Sequence, residues 1–127
     1  MMTTRAFLAI AALLGALSVA GGAFASHALK SKLTERALEI FETGVRYQMY
    51  HALALLMVAL LLSRAEAGQT WLIASGGMFI AGVAVFSGSL YALSLSGTKW
   101  LGAIAPLGGF AFLAGWGLLA IAALNFK

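Results

Sequence analysis

Residues 41–56 read FETGVRYQMYHALALL, and the stretch changes character halfway along. Glu42 and Arg46 belong to a charged surface, whereas from Ala52 onward only apolar residues follow until Ser63. A helix that starts among charges and runs on as hydrocarbon is entering a bilayer. The rest of the chain supports that reading. It is 62% hydrophobic and 9% charged over 127 residues, against roughly 25% charged in ordinary soluble domains. A soluble fold of this size has too little interior to hide so much apolar surface.

Four apolar segments are long enough to cross, at about 6–25, 47–63, 71–95 and 101–126. About 20 residues span the hydrocarbon as a helix. In lipid the backbone must satisfy its own hydrogen bonds, and these runs are continuous rather than alternating, so helices are expected and strands are not. The first segment has a rival reading: MMTTR, an apolar stretch and AFA before Ser26 also fit a signal peptide, whose removal would leave three helices. Short connections, RAEAGQT and SGTK, make neighbours antiparallel. The expected fold is therefore all-α and integral to the membrane, a compact four-helix transmembrane bundle forming one domain over residues 1–127. Small residues four apart, such as Ala84/Gly88 and Ala111/Gly115, favour close helix approach. Pro106 removes one donor from the last span.

Residues 34–46 lie between the first two spans. Thr34 can cap a helix starting at Glu35. From there Leu38, Phe41, Val45 and Met49 form an apolar stripe, with Glu35, Glu39, Glu42 and Arg46 opposite. An amphipathic interfacial helix is expected, turning into the second span near Gly44. A single helix from Thr34 to Ser63 is the competing picture. Glu42 and Arg46 stand four apart in the favourable order for an ion pair, so Arg46→Ala is expected to lower the yield of folded protein.

Lys and Arg divide unevenly between the two faces. Arg5, Arg64 and Lys127 lie on one, and Lys30, Lys32, Arg36, Arg46 and Lys99 on the other. The positive-inside rule places the second face in the cytoplasm and both termini outside. No basic block interleaved with aromatics is present, so nucleic-acid binding is not indicated.

The motifs GGAFASHALK (21–30), FETGVRYQMYHALALL, FSGSLYALSLSG (86–97), LGAIAPLGG (101–109) and FLAGW (112–116) occur in one order. Together they resemble the YgdD/YwdK-like family of small, uncharacterised four-span membrane proteins. The resemblance covers nearly the whole chain. Departures are mild: Ala25-Ser26 stands where relatives often carry Gly-Ala, and Ala105 where they carry Thr. It implies a four-span bacterial inner-membrane protein and supports keeping the first segment, because His27 lies in the shared motif. It implies no activity, substrate, cofactor or catalytic residue.

The chain has no cysteine, no Asp, two His and four Glu. That inventory excludes thiolate chemistry and is poor for hydrolysis, so no enzyme is expected. His27 and His51 could ligate a metal or haem only if both imidazoles met at one centre, with too few further ligands to complete a shell. No cofactor and no metal are expected. A candidate polar cluster remains: His27, Glu42, Arg46, Tyr47, Tyr50, His51, Ser87 and Tyr91. Ionisable groups at membrane depth mark relays or substrate sites often enough to be weighed. The structural reading pairs Glu42 with Arg46 and uses the tyrosines as anchors.

Two functions follow from this. The first is a non-enzymatic helical module that binds or stabilises membrane partners, whether other proteins or further copies of itself. The second is a small oligomeric transporter or permeation component working through Glu42, Arg46, Tyr50 and His51.

Overall fold

The computed structural model describes residues 2–127. Helix α1 runs Met2–Phe24 and widens into a π-helical turn at Ala25–Leu29; α2 is Glu35–Arg64. The third span consists of α3 (Gln69–Gly82), a second π turn (Val83–Ser87) and α4 (Gly88–Ser96), and α5 is Leu101–Asn125. Four apolar helices of 28, 30, 28 and 25 residues result. At 1.5 Å per residue each exceeds the roughly 30 Å of bilayer hydrocarbon. There are no strands among the described residues. The chain is an all-α, multi-pass membrane protein.

Local chemistry sets the ends. The Thr34 hydroxyl accepts from Ala37 N–H at 3.1 Å, capping α2 as its position implies. Gly68 (φ 83°) and Gly97 (φ 72°) take the left-handed conformation that starts α3 and ends α4. The Glu66 amide donates to the Lys127 carbonyl at 2.7 Å, tying the loop after α2 to the end of α5.

Of the two pictures for residues 34–63, the structure takes the single long helix. The amphipathic segment is the first third of α2, not a separate helix lying in the interface. Gly44 is no turn; it stays helical and buried because a side chain there would collide with a neighbour. A Cβ on it would lie 2.8 Å from the Tyr91 ring. The buried face of α2 is also rotated from the expected stripe. It comprises Phe41, Gly44, Gln48, His51, Ala52, Ala54, Leu55, Val58 and Ala59, while Val45 and Met49 are only half-buried.

Helix α2 is the hub. Helix α1 packs chiefly on it, and the third span packs between α2 and α5. Two apolar cores form. One, at the end holding the termini, gathers Phe7, Ala11, Leu55, Val58, Leu72, Phe79 and Ala122. The other, at the opposite end, gathers Ala25, Leu29 and Phe41. Several glycines on the third and fourth spans lie directly against aromatic rings or backbone: Gly76 faces Phe7, Gly82 faces Phe112, Gly115 faces Phe79 and Gly108 faces Phe86. Close approach therefore uses Gly115 of the expected small pairs, whereas Gly88 faces open space.

Candidate functional site

Between the two cores the buried face of α2 carries three polar links to its neighbours. They lie at residues 44, 48 and 51, each about one turn after the last. The Ser87 hydroxyl, fully buried in the π turn, donates to the Gly44 carbonyl at 2.7 Å. The Gln48 amide donates from Nε2 to the Leu14 carbonyl of α1 at 2.8 Å. Its Oε1 accepts from the Tyr91 hydroxyl of α4 at 2.6 Å. The Trp116 indole N–H of α5 donates to His51 Nε2 at 3.1 Å. Thus α2 is bonded in turn to the third span, to α1 and α4 together, and to α5. Such bonds have no competing water in lipid and hold helices that hydrophobicity cannot drive together.

The His51 contact defines its chemistry. An indole N–H can only donate, so Nε2 must accept and the imidazole proton sits on Nδ1. Nδ1 in turn donates to the Tyr47 carbonyl at 2.7 Å. The ring lies flat on Phe112, centroids 3.6 Å apart and planes within 7°. Phe79 and Trp116 flank it at 5.5 and 6.0 Å. A neutral imidazole with both nitrogens engaged and aromatic walls is a packing element. Neither nitrogen has a lone pair left for a metal.

The other candidates do not converge on it. His27 is exposed in the π turn at the end of the first span. His51 lies some 16 residues into α2, roughly 24 Å of helix beyond Glu35, so the two imidazoles do not meet. Glu42 and Arg46 form no ion pair; among the described residues the one pair is Arg36–Glu39, at 3.4 Å on the surface. Exposed Arg46 reaches instead to the Thr43 hydroxyl at 3.3 Å. A guanidinium at the bilayer surface keeps its hydration, and little is gained by ordering two long side chains. Tyr50 is exposed and stacks edge-on against Tyr47, which extends the aromatic group toward Phe86 and Phe112. Ser87 and Tyr91 do reach α2, but they bond Gly44 and Gln48 rather than the charged residues.

Gln48 and Trp116 are the residues that sequence reasoning passed over. Gln48 carried a signal, an amide inside an otherwise apolar run, four residues from Gly44. Trp116 carried none, because an indole in a span looks like any other apolar ring. A further cross-helix bond, from the fully buried Ser75 hydroxyl to the Gly115 carbonyl at 2.7 Å, joins α3 to α5.

The chain is similar to known proteins over nearly its whole length. Residues 21–109 match the family model described as a protein of unknown function, DUF423. The chain is 40% identical to the Bacillus subtilis membrane protein YwdK over 122 residues, covering 96% of this chain and 98% of the relative. It is 38% identical to a membrane protein of Staphylococcus haemolyticus over 122 residues, again 96% and 98% of the two chains. With the Escherichia coli K12 inner membrane protein YgdD the identity is 37% over 126 residues, 99% of this chain and 95% of that one. No solved structure matches. With motifs, span count and full-length similarity in agreement, the chain belongs to the DUF423 family of membrane proteins.

Proposed function

We propose that the chain is a non-enzymatic integral membrane module that binds and stabilises other proteins within the bilayer. One observation carries this reading. Among the described residues every buried side-chain nitrogen and oxygen has a hydrogen-bond partner, and the most deeply placed of them join helix to helix. Catalysis in lipid requires an ionisable or nucleophilic group facing a cavity that a substrate can enter. Here Gln48, His51, Ser75 and Ser87 are all occupied in holding the bundle. What is left to act on is the outer surface.

A transport path through Glu42, Arg46, Tyr50 and His51 would need the four side chains to line one channel. Arg46 and Tyr50 are exposed on the outside of α2, while His51 is turned inward under Phe112. The partner-binding reading needs no such convergence. We place the protein in the bacterial inner membrane. Lys30, Lys32, Arg36, Arg46 and Lys99 face the cytoplasm and both termini lie outside, because basic loops resist translocation.

Photo-crosslinking of the full chain in its native membrane, followed by purification, tests the function. One protein partner recovered at a fixed ratio in independent preparations is the expected result. A chain that crosslinks to nothing, and whose proteoliposomes pass ions or small solutes, would overturn the reading. The chain has no cysteine, so a single cysteine placed beside Lys99 and probed with an impermeant thiol reagent reports the orientation directly.

A further inference from the structure

A groove of about 600 Å³ runs between α1 and α4, with α2 as its floor. Leu14, Leu17 and Phe24 form one wall and Ala84, Gly88 and Leu95 the other. From Leu14 to Phe24 the helix rises about 15 Å, half the roughly 30 Å thickness of bilayer hydrocarbon. The groove therefore begins near the middle of the membrane, beside Gln48, and reaches the face opposite the termini. Its depth is that of one leaflet. Gly88 has open space where a side chain would stand, so this wall is left smooth.

The mouth is basic. Exposed Lys30 and Lys32 follow the end of the first span, and exposed Lys99 follows α4. None of the three forms an ion pair among the described residues, whereas Arg36 on the same face is paired with Glu39. Glu35, Glu39 and Glu42 also lie on this face, against Lys30, Lys32, Arg36, Arg46 and Lys99, which leaves it with a net positive charge. An apolar slot one leaflet deep, ending in free lysines at headgroup level, matches a phospholipid with a negatively charged head.

The geometry points to an anionic phospholipid, one acyl chain lying in the α1–α4 groove and its phosphate held by Lys30, Lys32 and Lys99. The lipid completes the bundle on the side where α1 touches little besides α2. The site stands apart from the protein-binding reading above and does not depend on it.

Electron paramagnetic resonance on the full chain in phosphatidylcholine vesicles tests it, using phosphatidylglycerol or phosphatidylcholine nitroxide-labelled on the acyl chain. The expected result is a motionally restricted component that favours phosphatidylglycerol several-fold. Each of K30Q, K32Q and K99Q lowers the preference, by no more than the about fivefold that one basic residue near an anionic surface is worth, and the triple variant removes it. Gly88→Leu fills the groove from one wall and Leu17→Trp from the other, and either removes the preference for phosphatidylglycerol while helix content is unchanged. Equal restriction of the two lipids would overturn the proposal. So would a lysine-dependent preference that survives both groove-filling variants, which would mean surface charge alone. A change from dimer to monomer in Gly88→Leu would overturn it in favour of a second copy of the chain.

Discussion

The indole of Trp116 caps the imidazole of His51 from across the bundle, N–H to Nε2 at 3.1 Å, while Phe112 lies flat against the same ring. The contact joins residues 65 apart in sequence. It turns an ionisable side chain at membrane depth into a neutral spacer between α2 and α5.

Trp116→Phe should keep the ring packing and leave Nε2 without its donor. The expected cost is about 1 kcal/mol, the scale measured for interhelical hydrogen bonds in membranes. His51→Phe should cost a similar amount by stranding the indole N–H. The double variant should lose less than the sum, because an all-aromatic contact leaves no polar group unpaired. Reversible unfolding in bicelles measures all three; strict additivity would mean the bond contributes nothing.

Gln48 bonds α1 and α4 at once. Gln48→Leu should therefore destabilise more than Tyr91→Phe, by about 1 to 2 kcal/mol against about half that. In the Gln48→Leu background, Tyr91→Phe should relieve rather than add to the loss, since it removes a hydroxyl that has lost its acceptor. Thermal stability in detergent distinguishes this from independent effects.

Adjacent glycines on α5 should behave oppositely. A Cβ on Gly108 would meet the backbone of Phe86, which cannot swing aside as a side chain can. Gly108→Ala should separate α5 from the third span and cost about 3 kcal/mol or more. Gly109 has nothing within 4 Å of the same position. Gly109→Ala should be neutral or slightly stabilising through helix propensity. Equal yields of monodisperse protein from the two variants would contradict this packing of α5 on the third span.

Arg46→Ala should leave stability within about 0.5 kcal/mol of the parent. This reverses the expectation drawn from the spacing of Glu42 and Arg46, because the arginine is exposed and Glu42 does not pair with it. A fall in Tm of several degrees would restore the ion pair.

The polar candidates were legible as residues but not as a site. Spacing along one helix shows that Glu42, Arg46 and Tyr50 share a face. It cannot show that this face points outward while Gly44, Gln48 and His51 point in. Each of those three has its partner 34 to 65 residues away, beyond the reach of any local pattern. The apolar stripe misled for a related reason. The inward face is set by where the neighbouring helices pack, and it takes in Gly44 and Gln48, which no hydrophobic periodicity selects.

By itself the amino-acid sequence determined the solvent, the four spans, their alternating direction and the cap at Thr34. Each of these follows from hydrocarbon length, backbone hydrogen bonding or a single residue's conformational preference, all of which act within a few turns. Only the tertiary structure decided that residues 34–63 form one rod, that α2 is bonded in turn to each of the other spans, and that an open groove remains between α1 and α4. Those outcomes depend on which side chains meet across helices. That matching is steric and hydrogen-bonded, made between segments that share no local signal.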